Sequence, residues 1–195
     1  MPGQVLKASP AHPKLSATIG VTPSRFKAGT GLSDSPPTLT LTVISFADQP
    51  ITIFTWPTVF NLHLSQRRRN FTCIDLTSDT YVFLELTKGP RRPGFSRSAG
   101  SSDERYFVTL EPGEPVTFHA PFSLSCRPVE GSHAIMPDHT YRFAISEGEK
   151  VWWWRYGKKA DILTPVGKAA GLGDPDGPPL PLDEVNAVEF EVLDA

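Results

Sequence analysis

From Thr38 to Phe46 the chain reads TLTLTVISF, with Leu39, Leu41 and Val43 alternating against Thr38, Thr40 and Thr42. A period of two, with polar β-branched residues on one side and aliphatics on the other, predicts a half-buried β-strand. Related patterns recur along the chain. LSATIGV (15–21) predicts a first strand, and ITIFTW (51–56) the returning arm of a hairpin around ADQP. VFNLHL and NFTCIDL predict two short strands either side of the basic turn SQRRR, and TYVFLEL (80–86) a longer one. RYFVTL and PVTFHA flank the turn EPGE, while TYRFAIS and KVWWWRY predict a hairpin around EGE. NAVEFEVLDA alternates Val188, Phe190 and Val192 with Glu189 and Glu191 and reads as a last, edge-like strand. No long stretch carries helical periodicity, so roughly nine or ten short strands predict an all-β sandwich.

The punctuation between these runs supports that class. Twenty prolines and fifteen glycines fall mainly between the apolar segments, as loop-rich β proteins require. Residues 1–14, rich in proline and small side chains, read as a flexible leader; 15–160 form the sandwich domain; 161–195 form a proline- and glycine-rich crossover and a final strand packed on the same domain. TKGPRRPGFSRSAGSSDE (87–104) is poor in aliphatics and predicts a long, mobile loop.

One stretch narrows the architecture. IMPDHTYRFAI (135–145) places Pro137 two residues after Ile135 and Tyr141 six after it. This resembles the corner that precedes the sixth strand of fibronectin-type-III and other immunoglobulin-like domains. The resemblance implies an immunoglobulin-like Greek-key β-sandwich, here with long loops and a C-terminal extra strand. It also implies that the Tyr141 hydroxyl bonds back to the corner backbone, with Phe143 and Ile145 entering the core. The antibody-type arrangement of a tryptophan between two bridged cysteines is absent, because none lies between Cys73 and Cys126.

Charge and targeting signals limit the partners. A formal net charge of −2 gives no reason to expect a nucleic-acid groove, although Arg67-Arg68-Arg69 and Arg91-Arg92 leave room for a small anionic site. No run approaches the roughly 20 apolar residues of a membrane span, and MPGQVLKASPAHPK lacks a secretory apolar core. A cytoplasmic protein with no membrane partner is expected, and its two cysteines are expected to stay reduced, with a pairing of Cys73 and Cys126 left open. The sequon at Asn70 is read as chance.

Motifs for phosphate loops, nucleophile elbows and paired C-x-x-C are missing. GLGDPDG (171–177) lacks the ligand spacing of a calcium loop, and the histidines show no His-x-His pair on one strand, so neither metal nor cofactor is expected. Cys126 with His133 or His119 is the one cysteine–histidine pairing on offer. Two function classes follow. In the first, a binding or interaction module offers an aromatic and arginine face to a hydrophobic ligand or protein partner. Three tryptophans in a row raise this reading: Arg142, Trp152, Trp153, Trp154, Arg155 and Tyr156 are its candidate ligand-binding residues, with Arg105 on a further strand. Such a recess suits a planar or hydrophobic molecule carrying a carboxylate. In the second, a cofactor-independent cyclase or isomerase uses Glu85, His119 and Asp161 as acid–base groups. Glu85 stands out because it shares a face with Tyr81 and Phe83, where a carboxylate acquires a raised pKa. Homo-oligomerisation through the C-terminal strand stays open.

Overall fold

Alternation decides the first layer. In a computed structural model, which describes residues 12–27, 36–84, 86–87, 94–124, 135–168, 170–183 and 185–194, Leu39, Leu41 and Val43 are buried and the threonines between them are half-buried. In chain order the elements begin with β1 (Leu15–Thr22), β2 (Arg25–Lys27), β3 (Thr38–Ser45), β4 (Ile51–Phe54), the single-turn helix α1 (Leu62–Ser65), β5 (Phe71–Asp75) and β6 (Thr80–Tyr81). After a 3₁₀ turn at Glu104–Tyr106 come β7 (Phe107–Leu110), β8 (Pro115–Pro121), β9 (His139–Ile145), β10 (Lys150–Val151), β11 (Trp154–Tyr156), α2 (Lys159–Ile162), β12 (Leu180–Asp183) and β13 (Ala187–Leu193).

These strands form an all-β structure of three sheets. One runs β10-β12-β1-β3-β8, a second β2-β13-β9-β5-β6, and a third, smaller one β11-β4-β7. The longest ladder joins β1 and β3 antiparallel from Leu15↔Ser45 to Thr22↔Thr38. Inward residues of all three sheets meet in one apolar cluster: Leu15, Ile19, Leu39 and Leu41 from the first, Phe71, Tyr141, Phe143 and Phe190 from the second, Ile53 and Trp154 from the third. Each large side chain so buried contributes about 1.5–3 kcal/mol. Face-to-face packing of sheets over a common core is a sandwich.

Strand β4 is buried on both faces, and this explains the second core. Ile51 and Ile53 point into the main cluster. Phe54 points the other way, into a smaller cluster with Phe107, Trp153 and Ile162, against which Trp56, Phe95, Tyr106 and Trp152 pack. The tryptophan run bridges the two. Val151 pairs with Leu180 on β12, the backbone then leaves that sheet, and Trp154 pairs with Ile53 on β4. Trp153 therefore fills the small core and Trp154 the main one, rather than the two standing on opposite faces of one continuous strand.

Several expectations change for the same reason. ADQP does not close a hairpin, because β3 pairs with β1 and β8 while β4 pairs with β11 and β7. Likewise β9 pairs with β13 and β5, not with the tryptophan run. The turns are read correctly but the chain crosses between sheets at them. VFNLHL folds into the turn of α1, and KKADIL into α2, where Asp161 accepts the Lys158 backbone N–H at 3.3 Å. TYVFLEL keeps only Thr80–Tyr81 as strand. The final strand is interior, with β2 parallel on one side and β9 antiparallel on the other.

The corner carries a local bonding pattern of its own. Tyr141 is buried, and its hydroxyl accepts the Met136 N–H at 2.7 Å and donates to the Met136 carbonyl at 3.2 Å. Cys73 is buried. Cys126, His133 and most of the leader, residues 1–11, lie outside the described residues, as do residues 88–93 of the long loop.

Candidate functional site

The three adjacent indoles each find a backbone carbonyl, as buried Trp N–H groups need. Trp152 Nε1 donates to Trp56, Trp153 Nε1 to Gly173 and Trp154 Nε1 to Pro178, all at 2.9 Å. Two of these acceptors belong to the crossover, which runs over the indoles. The same segment supplies Asp176, whose carboxylate takes Arg155 Nε at 3.0 Å and the Tyr156 N–H at 2.8 Å. Burial, with the nearby carboxylates of Asp48 and Asp176, pushes the Tyr156 phenol above its usual range. Trp153 and Trp154 are 1% and 2% exposed. Arg142 pairs with Glu189 across β9 and β13 at 3.0 Å, at the surface. Arg105 lies over the Tyr106 ring, 4.9 Å from its centroid. Arg142, Arg155 and Arg105 thus have three separate sets of partners.

Of the acid–base candidates, His119 and Asp161 are among the described residues. Glu85 lies outside the described residues. His119, on β8, lines a groove of about 230 Å³ with His63 and Arg105, whereas Asp161 is engaged at the start of α2. No group of three or more His, Cys, Asp or Glu side chains suited to a metal occurs among the described residues. Asp75 is a different kind of carboxylate. It is buried at the end of β5, accepts the Thr77 and Ser78 N–H groups at 2.9 and 3.2 Å, and meets His139 Nδ1 at 2.7 Å. Burial works to raise its pKa, but the hydrogen bonds from His139, Ser78 and Thr77 prevail and hold it below the usual value. This carboxylate fixes a turn and a ring orientation.

A recess of about 470 Å³ lies elsewhere, between the turn after α1 and the segment that follows β6. The turn is wound by Arg67 and Arg68 N–H groups donating to the Leu64 and Ser65 carbonyls, and Thr87 N–H donates to Arg67. That last bond folds the 80–87 segment back against the arginines. Val82 is buried, so its neighbours Tyr81 and Phe83 turn outward by the period of two. Tyr81, Phe83 and Leu86 are 63%, 55% and 45% exposed. Arg68 and Arg69 form the opposing wall, and Phe71 lines the recess from β5. The Arg68 Nε is buried and has no hydrogen-bond partner among the described residues. A buried donor without an acceptor is costly, at about 1–3 kcal/mol, and a guanidinium so placed is poised for an anionic oxygen.

The sequence marked both walls without joining them: the arginine run as a small anionic site, and TYVFLEL as a strand with an aromatic side. What brings them together is the short antiparallel pairing of β5 with β6, which no residue pattern announces.

A comparison of the sequence with models of known protein families finds no match, and none of the curated proteins compared is similar to it. Among the described residues no helix is long and apolar enough to cross a membrane.

Proposed function

We propose that this chain is an immunoglobulin-like binding module whose ligand is a hydrophobic small molecule carrying a carboxylate, held in the recess between the Arg68–Arg69 turn and the Tyr81–Leu86 segment. The observation that carries the reading is Arg68, whose Nε has no hydrogen-bond partner among the described residues and which lines a recess with exposed aromatic walls. The immunoglobulin-like architecture is favoured by the Tyr141 corner bonds and by chain crossings between sheets after β3, β7 and β9.

The chemistry is complementary at each end. A volume of about 470 Å³ falls in the range of small-molecule sites, which pair apolar walls with few polar groups. Large aromatic side chains left at the surface mark binding surfaces when they cluster, and here they cluster beside two cations. The carboxylate would pair with the Arg68 guanidinium and lie near Arg69, while the apolar body covers Phe83 and Leu86.

Calorimetric titration with 2-naphthoate and with its neutral counterpart 2-naphthalenemethanol tests this. The carboxylate binds at least about tenfold tighter than the alcohol, and Arg68→Leu removes that difference, because a charge-assisted hydrogen bond contributes about 1.5–3 kcal/mol. Equal affinity for acid and alcohol, or no binding of either, overturns the reading.

A further inference from the structure

The groove lined by His119 is a second recess, separate from the one at Arg68. Its floor is apolar: Phe60 and Phe118 stand with ring centroids 5.3 Å apart, backed by Leu62 and Val108. Its rim is basic and polar. His63 comes from α1, His119 from β8, Arg105 from the 3₁₀ turn before β7, and Asn61 from the loop into α1. Three chain segments distant in sequence thus converge on one opening.

Among the described residues no acid lines this groove. The carboxylates nearest Arg105 in sequence are committed elsewhere: Asp103 accepts the Ser96 N–H at 2.9 Å, and Glu104 accepts the Gly100 N–H at 2.6 Å and pairs with Lys159. Arg105 is held in place by neutral contacts, its ring stacking and a 2.9 Å bond to the Tyr106 hydroxyl. The guanidinium is thereby oriented, with no ion-pair partner among the described residues. The imidazoles of His63 and His119 have no ion-pair partner among the described residues. An arginine on this rim opposes a divalent metal, so two histidines here do not make a metal site.

Arg105, His63, His119 and Asn61 are the N–H donor side chains among the residues that line the groove. That arrangement suits a tetrahedral oxyanion with several acceptor oxygens better than a single carboxylate. A volume of about 230 Å³ admits such a group together with one ring-sized organic substituent. We propose that the groove binds a phosphate monoester, its phosphoryl oxygens at Arg105, His63 and His119 and its organic group against Phe118. This site shares no lining residue with the Arg68 recess, so each stands or falls alone.

The test is an NMR titration of the whole chain at constant ionic strength, reading the His63 and His119 ring signals. Phenyl phosphate shifts both saturably and binds at least about fivefold tighter than benzoate or inorganic phosphate. Arg105→Gln weakens phenyl phosphate about tenfold, and so does His119→Asn, an exposed position that serves if Arg105→Gln does not fold. Arg25→Gln, which removes an exposed pair with Glu191 on β2, leaves the titration unchanged. Non-saturable shifts, benzoate binding as tightly as phenyl phosphate, or equal weakening by Arg25→Gln and Arg105→Gln overturns the proposal.

Discussion

At the scale of single residues, the tryptophan run shows how tightly the crossover is fitted to the sandwich. Gly177 lies so close to Trp154 that a Cβ added there would meet Cζ2 at 2.8 Å. The indole cannot swing away, because it is 2% exposed and its N–H is tied to Pro178. Gly177→Ala therefore overpacks a rigid contact and destabilises the protein by about 1–3 kcal/mol. In acrylamide quenching of the folded protein, wild-type Trp153 and Trp154 stay shielded, while the variant exposes Trp154 as the crossover lifts. Unchanged stability and quenching would show that the crossover is not seated on the ring. The sequence raised the right question at Val151–Tyr156, since three indoles cannot all share one core. Its answer needed the break in the strand at Trp152–Trp153, which lets neighbouring rings enter two cores.

At the scale of elements, alternation was readable wherever one face of a strand is buried. β3, β5, β9 and β13 bury alternate positions as the period of two requires, although Ile44 and Ile74 fall on the outer face and Ser45 and Asp75 on the inner one. Partner choice was not readable, because a turn such as ADQP is chemically the same whether the next strand returns beside its neighbour or crosses to another sheet. The helical turns were missed because α1 and α2 are too short to show a 3.6-residue pattern. The final strand tests this distinction between pattern and place. Phe190 is buried and stacks on Tyr141 and Phe26, with centroids 5.3 Å from each, whereas Val188 is only half-buried. Phe190→Ala is expected to cost about 3–5 kcal/mol, and Val188→Ala clearly less, as measured by urea unfolding. Similar small losses at both positions would fit a loosely attached edge strand and count against the interior position of β13.

At the scale of the whole molecule, two carboxylates set opposite trends of stability with pH. Asp75 sits below its ordinary value of 3.8 because the hydrogen bonds from His139, Ser78 and Thr77 outweigh burial. A depressed carboxylate contributes stability that is present above the unfolded pKa and lost as pH falls through the folded one. Glu104, held down first by the Gly100 N–H and then by Lys159, acts in the same direction. Glu149 is the reverse. Burial raises it above its ordinary 4.5 in spite of the 2.8 Å bond from Asn70. Its contribution is fully present below the unfolded pKa and is lost as pH rises through the folded one. Acidification from neutrality therefore first gains stability as Glu149 takes up its proton, and then loses it below about pH 4 as Asp75 is protonated. Urea midpoints measured from about pH 3 to pH 7 should pass through a maximum on the mildly acidic side. Glu149→Gln, which keeps the shape and removes the charge, flattens the neutral limb of that curve and leaves the acid limb. Asp75→Asn, whose side-chain oxygen still accepts from Thr77 and Ser78, shrinks the acid limb and leaves the neutral one. If both variants move the curve uniformly without changing its shape, neither carboxylate is a source of the pH dependence, and the Asp75–His139 contact is geometric alone.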